Sequence, residues 1–218
     1  MTGRSGWEKS LGKSGSGSRH VRVNLRYLPA DFGWKHLTPI IANVKKTIEN
    51  GLEHRAEEVF KRHTPFVRRG MDFRKKHPDQ GFDDVGDFDV LAYWPETNFL
   101  VVCECKYNQP AHTMKDTRRL RDRIFGRDAS GKDGQFVHIE ARRRFLAERR
   151  ERMIELLAWP ASQVPSAQDV EVYVCRDIYF WMVHPPYKVP TQFVRIDALD
   201  TWVGRLRTSP EGPGRKAE

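Results

Sequence analysis

The feature that most constrains the fold is the stretch from Gly86 to Lys106, in which two apolar segments flank a short polar turn. The turn is Pro95-Glu96-Thr97-Asn98, and residues that favour strands lie on both sides of it. The stretch therefore predicts a β-hairpin. Strands this apolar are usually buried on both faces, which favours a central position in a sheet that is covered by helices.

The register of this hairpin brings two carboxylates together. If Trp94 pairs with Phe99 across the turn, then Asp89 faces Glu104 at the open end of the two strands. Directly opposed side chains have Cβ atoms roughly 5 Å apart. Two carboxylates that close repel each other unless a cation lies between them or one of them stays protonated. The register therefore predicts a cation site or a shared proton at this point.

A lysine belongs to the same face of the second strand. Because side chains alternate along a strand, Glu104 and Lys106 share one face, and Cys103 and Cys105 share the other. Carboxylate oxygens suit Mg²⁺ or Mn²⁺ better than Zn²⁺. A divalent ion there could bind a phosphate oxygen and activate a water, while the lysine neutralises developing charge. The alternative is a buried ion-pair network with no chemistry.

These residues resemble the core motif of a nuclease superfamily. Asp89, followed after a spacer by Glu104-Cys105-Lys106, is similar to the motif of the PD-(D/E)XK nucleases, which have the restriction-endonuclease-like fold. The flanking residues, Gly86 to Ala92 and Val101 to Lys106, most resemble the Mrr-like and nuclease-related branches. Phe88 stands where the family motif has a proline.

The resemblance implies an activity and a role for each residue. It implies a metal-dependent nuclease, specifically a Mg²⁺-dependent endodeoxyribonuclease that hydrolyses phosphodiester bonds of DNA. Asp89 and Glu104 would be ligands of Mg²⁺ or Mn²⁺, with the backbone carbonyl of Cys105 as a third ligand, and Lys106 would be the catalytic lysine. Two alternatives stay open. One is a catalytically inactive module of the same fold that binds nucleic acid or another partner, and the other is a basic structural protein with a fortuitous motif.

A helix before the hairpin offers a further carboxylate. Residues 45–63 have the apolar spacing of an amphipathic helix. Glu53 lies at the edge of the apolar stripe, whereas Glu57 is rotated further outward. Many members of the resembled superfamily carry a glutamate on this helix that supports the metal or its water, which implies a catalytic role for Glu53. The alternatives are that Glu57 takes this role or that both are solvated helix charges.

The whole chain predicts an α/β domain with a mixed central β-sheet flanked by helices. This domain is expected at 20–207, between a flexible Gly- and Ser-rich segment at 1–19 and a disordered tail at 208–218. Hydrophobic periodicity assigns the remaining elements. Strands are expected at 21–27, 64–73, 170–175, 178–183 and 193–196, a loop at 74–84, and helices at 113–125, 138–158 and 198–206.

The chain is strongly basic, with a net charge of +9 over 218 residues. Such a balance suits a polyanionic partner, most simply nucleic acid, and the family resemblance implies that this nucleic acid is DNA. The arginine-rich helices at 113–125 and 138–158 favour contacts with backbone phosphates, although a charge run is usually a solvated face. The candidate nucleic-acid-binding residues are Arg118, Arg119, Arg142, Arg143 and Arg149.

Cysteine usage and hydropathy limit the setting in which the protein works. Three cysteines, an odd number, argue against a disulfide scaffold and for a reducing compartment. No apolar run is long enough to span a membrane, and the N-terminus lacks a signal-peptide core. We therefore expect a cytoplasmic protein without a membrane partner. The resemblance also leaves open a homodimer, or a place in a larger defence or repair assembly.

Overall fold

The computed structural model describes residues 34–108, 110–126 and 134–208. The chain divides into two compact units, Met1–Asn43 and Val44–Glu218. The predicted flexible segment at 1–19, the predicted strand at 21–27 and residues 209–218 of the predicted tail lie outside the described residues. The sheet and the candidate site belong to the second unit.

The described residues form six helices and five strands. In chain order they are α1 (Trp34–Lys61), β1 (Phe66–Met71), α2 (Phe73–Lys76), β2 (Phe88–Trp94), β3 (Phe99–Cys105), α3 (Met114–Phe125), α4 (Phe136–Leu156), β4 (Gln168–Cys175), α5 (Phe180–Val183), β5 (Gln192–Arg195) and α6 (Leu199–Thr208). These bounds confirm the helices predicted at 113–125, 138–158 and 198–206. Among these six helices, none is both long and apolar enough to cross a membrane.

The five strands form one mixed sheet in the order β1-β2-β3-β4-β5. The pairs β1–β2 and β2–β3 are antiparallel, whereas the pairs β3–β4 and β4–β5 are parallel. Trp94 pairs with Phe99, which confirms the predicted hairpin register. A short turn suffices for the antiparallel pair, but the parallel pair of β3 and β4 needs the long crossover through α3 and α4. The α/β class and the mixed central sheet are thus confirmed.

Helices cover both faces of the sheet, and side-chain alternation decides which residue meets which helix. On one face, Ala92 and Cys103 pack in a cluster with residues of α1 and α6. On the other face, Leu91 and Val102 pack in a cluster with residues of α4. A third cluster, which includes Phe125, joins α3 and α5 to β4. Burial on both faces explains why β2 and β3 are continuous apolar runs.

The strand predicted at 178–183 is wrong, because this segment contains the four-residue helix α5. Trp181 and Met182 are buried in the third cluster, whereas Phe180 and Val183 are exposed. An apolar run this short cannot be assigned to a strand or to a helical turn by periodicity alone. The structure therefore passes directly from β4 to β5 within the sheet, without a strand between them.

Two further boundaries differ from the predictions. The helix predicted at 45–63 is longer, since α1 spans Trp34–Lys61. The loop predicted at 74–84 contains most of α2 and a 3₁₀ turn at Pro78–Gln80. The side chain of Asp72 caps α2 by accepting a hydrogen bond from the backbone N–H of Lys75 at 3.0 Å. This cap explains why a polar stretch forms a helical turn.

Candidate active site at the open end of the hairpin

Three predicted side chains converge where β2 begins and β3 ends. Asp89 Oδ2 accepts a hydrogen bond from the backbone N–H of Cys105 at 2.7 Å. Lys106 Nζ lies 2.8 Å from Glu104 Oε1 and 3.4 Å from Asp89 Oδ2. The ammonium therefore bridges the two carboxylates, in agreement with the convergence that the hairpin register predicts.

The two carboxylates lie on the sheet face that α4 covers. Asp89 is in phase with Leu91 along β2, and Glu104 is in phase with Val102 along β3. Asp89 is only 4% exposed and Glu104 only 8%. The side chain of Lys106, which follows the last residue of β3, is 29% exposed. The site therefore consists of two carboxyl groups that are almost fully buried, Asp89 and Glu104, and the partly exposed ammonium of Lys106 beside them.

This environment shifts two protonation equilibria. Burial raises the pKa of Asp89 to about 7, and the negative charge of Glu104 acts in the same direction. Burial alone would lower the pKa of Lys106, but the carboxylates of Glu104 and Asp89 outweigh it, and the net effect is a raised pKa. At neutral pH, Lys106 is therefore a cation, while Asp89 is close to its midpoint of titration.

Arg142 of α4 completes the site from the helix side. Its Nη2 donates a hydrogen bond to Glu104 Oε2, and its Nη1 donates one to the backbone carbonyl of Asp87 at 3.0 Å. The guanidinium carbon lies 6.0 Å from the centroid of the Phe88 ring. The side chain is only 8% exposed, so the prediction that Arg142 belongs to a solvated, phosphate-contacting face is wrong. The physical reason is its ion pair with a buried carboxylate.

The position of Arg142 along its helix contains a signal that the charge pattern hid. Arg142 is three residues after Ile139 and three and four residues before Phe145 and Leu146, and all four residues are buried. Residues with these spacings share one helix face. The helix phase therefore places this arginine on the apolar stripe that faces the sheet.

The other predicted arginines divide into one that is paired and three that are exposed. Arg143 makes a two-pronged ion pair with Glu171 of β4, with N–O distances of 2.7 and 2.6 Å. Arg118 and Arg119 on α3 and Arg149 on α4 are exposed. These three exposed side chains are the ones from the predicted set that a large polyanion can reach most easily.

The two glutamates of α1 differ in the charges that act on them. Burial raises the pKa of Glu53, and the ammonium of Lys106 is among the charges that act on it. Glu57 lies 3.1 Å from Lys61 Nζ and 3.1 Å from Arg69 Nε. These pairs engage Glu57 on the helix surface, so Glu53 is the carboxylate of α1 that interacts electrostatically with the hairpin.

The donor set fits a hard divalent cation. Asp89 and Glu104 offer carboxylate oxygens from adjacent strands on one face of the sheet, which is the ligand type that Mg²⁺ and Mn²⁺ prefer. Burial first, and then the negative charge of Glu104, raises the pKa of Asp89, and a bridging cation would oppose both effects by favouring the charged carboxylate. A separate group, His54 with Glu57 and Glu58, lies on the surface of α1, where Lys61 already neutralises part of its charge.

Comparisons with known proteins assign no family. No family model, no curated protein and no solved structure matches the chain. The functional interpretation therefore rests on the geometry and the electrostatics of Asp89, Glu104 and Lys106.

Proposed function

We propose that this protein is a metal-dependent nuclease that hydrolyses phosphodiester bonds of DNA, and that its mixed α/β fold is of the restriction-endonuclease-like type. The observation that carries the proposal is the convergence of Asp89, Glu104 and Lys106 at one point of a buried hairpin. Two carboxylates within reach of one ammonium repel each other in a nearly dry position. Such perturbed groups cluster at functional sites.

Each residue of the site has a role that its position supports. Asp89 and Glu104 would hold Mg²⁺ or Mn²⁺, together with the backbone carbonyl of Cys105 that the family resemblance implies. When bound, such an ion polarises a phosphate and lowers the pKa of a water. Lys106 is a cation 2.8 Å from Glu104, where its ammonium can stabilise negative charge that develops on the phosphate. Glu53 would help to orient the water from α1.

A polyanionic substrate is consistent with the charge of the chain and with the positions of the exposed arginines. The net charge is +9. The helix α3, which carries Arg118 and Arg119, is the next element after β3 and begins at Met114, eight residues after Lys106. Contacts from these arginines and from Arg149 to backbone phosphates would give affinity without sequence recognition.

A cleavage assay with a lysine variant tests this function. Supercoiled plasmid is incubated with the wild-type protein and Mg²⁺, and then with excess EDTA. We expect cleavage that EDTA stops and that Lys106→Ala reduces by at least about a hundredfold, because the ammonium that faces the phosphate is lost. The control is Lys75→Ala, which removes an exposed lysine that pairs with Asp72 and should leave cleavage unchanged.

The same assay separates the alternatives. Retardation of the plasmid without cleavage, in every metal tested, would support an inactive binding module. Cleavage that persists in Lys106→Ala would show a contaminating nuclease or a different active site. If the folded protein neither bound nor cleaved the plasmid, both the nuclease and the binding module would be contradicted.

A further inference from the structure

The candidate site already contains as many cations as carboxylates. Glu104 uses both of its oxygens, Oε1 towards Lys106 and Oε2 towards Arg142. Asp89 Oδ2 accepts a hydrogen bond from the backbone and lies 3.4 Å from the same lysine. Two carboxyl groups and two cationic side chains therefore already lie together at this site before any divalent ion enters.

We propose that Arg142 is a positioning residue that acts through Glu104: it competes with the divalent ion for this carboxylate, so that the ion binds weakly. This inference rests on the proposed function, since it concerns the same metal site. It adds a specific role for a residue of α4 that lies outside the aspartate, glutamate and lysine motif.

The surroundings of Arg142 fix its charge in place. Nη1 is held by the backbone carbonyl of Asp87, and the guanidinium lies over the ring of Phe88. The side chain is 8% exposed, against 29% for Lys106. A flexible lysine at the edge can turn away towards solvent, whereas the buried guanidinium has no such freedom.

A fixed cation beside a metal ligand opposes metal binding in two ways. Glu104 Oε2 must share its negative charge between the guanidinium and the ion, and the two positive charges repel each other. Repulsion at distances of a few ångströms is strong where little water screens it. Glu104 and Arg142 also line a small cleft between α4 and the sheet, together with Glu171 and Thr191.

A neighbouring ion pair provides a matched control. Arg143 pairs with Glu171 across the same interface between α4 and the sheet, and Thr191 completes that pair. Its side chain has no contact with Asp89 or Glu104 within the hydrogen bonds and ion pairs of the described residues. Loss of Arg143 therefore breaks a comparable pair without touching the proposed ligands.

The experiment is a calorimetric titration of the full chain with Mn²⁺ alone at pH 8.5. We expect Arg142→Gln and Arg142→Met to bind Mn²⁺ at least tenfold more tightly than the wild type. The affinity of Arg142→Lys for Mn²⁺ should stay within about threefold of the wild-type value, because this variant retains a positive charge. The affinity of Arg143→Gln should equal that of the wild type. In the cleavage assay, the half-saturating Mg²⁺ concentration of Arg142→Gln should fall in parallel.

Equal or weaker Mn²⁺ binding by both Arg142→Gln and Arg142→Met would overturn the proposal and make the arginine a purely structural partner. The Met variant fills similar space without a charge, so it remains informative if the Gln variant does not fold. Failure of both to give a native circular dichroism spectrum would also assign Arg142 to stability alone. If neither the wild type nor any Arg142 variant bound Mn²⁺, the metal site of the proposed function itself would be wrong.

Discussion

Asp89 is a residue of the candidate site whose ionisation the fold shifts strongly. Its side chain is buried, it accepts a hydrogen bond from Cys105, and it faces the charge of Glu104. Burial and the neighbouring carboxylate favour its neutral form, whereas a bound divalent ion would favour its charged form. Metal binding to this site should therefore weaken as the pH falls below about 7.

The first prediction concerns stability and pH. The folded-state pKa of Asp89 is about 7, above the ordinary value of 3.8, so the folded protein holds this proton more tightly than the unfolded chain does. Ionisation of Asp89 therefore destabilises the fold as the pH rises between these values, and the cost is complete above about 7. In urea unfolding of the metal-free wild type, the free energy of unfolding should be lower at pH 8 than at pH 5. This decrease should be larger in the wild type than in Asp89→Asn, by roughly 2 kcal/mol.

Asp83→Asn, which changes an exposed aspartate, is the control and should keep the wild-type pH dependence. Identical pH profiles for the wild type and Asp89→Asn would contradict the shifted ionisation. The comparison needs EDTA in every sample, because a bound ion would mask the effect.

The second prediction distinguishes the two glutamates of α1. Glu53→Gln should lower the cleavage rate at saturating Mg²⁺ by about tenfold. A loss of this size is expected for a residue that does not bind the metal itself but acts on the metal-bound water or the ligands. Glu57→Gln should leave the rate near that of the wild type, since Glu57 pairs with Lys61 and Arg69. Initial rates on supercoiled plasmid provide the measurement, and a larger loss in Glu57→Gln would reverse the assignment.

At the scale of elements, the hairpin was predictable and the orientation of α4 was not. The turn Pro95-Glu96-Thr97-Asn98 and the apolar runs around it agree on one register, which the structure confirms. The helix α4 carries arginines on several faces, and three of them pair with acidic residues of the strands; one is the pair of Arg143 with Glu171 described above. Arg142 meets Glu104, and Arg150 lies 2.7 Å from Asp169. Pairs of this kind join distant segments, so the helix phase indicates that Arg142 faces the sheet but cannot identify its partner on the strands.

The third prediction concerns the exposed face of α3. DNA binding in EDTA should weaken in the double variant Arg118→Gln/Arg119→Gln, because two exposed cations are lost. The slope of the logarithm of affinity against the logarithm of salt concentration should become shallower by about 2, since each phosphate contact contributes roughly 0.9. Fluorescence anisotropy with a short labelled duplex over a range of NaCl concentrations measures this slope.

Arg195→Gln serves as the control for α3. It removes an exposed arginine of β5 that pairs with Asp197, and it should leave the salt slope unchanged. Equal slopes for the wild type and the α3 double variant would place the DNA contacts elsewhere on the molecule.

At the scale of the whole molecule, the candidate site is a product of tertiary assembly. The hairpin supplies Asp89, Glu104 and Lys106, α1 supplies Glu53 from one side, and α4 supplies Arg142 from the other. Glu104 and Arg142 are 38 positions apart in the chain, and they meet only when α4 packs on the sheet. The sequence therefore predicts the part of the site that one hairpin brings together, while the part that depends on helix packing requires the fold.

The most direct measurement is the position of a bound ion in crystals soaked with a high concentration of Mn²⁺. Anomalous diffraction at a wavelength that favours manganese should show one peak between the carboxylates of Asp89 and Glu104, and crystals of Glu104→Gln should lack it. A peak only at the surface group of His54, Glu57 and Glu58, or no peak within reach of Asp89 and Glu104, would contradict the proposed metal site.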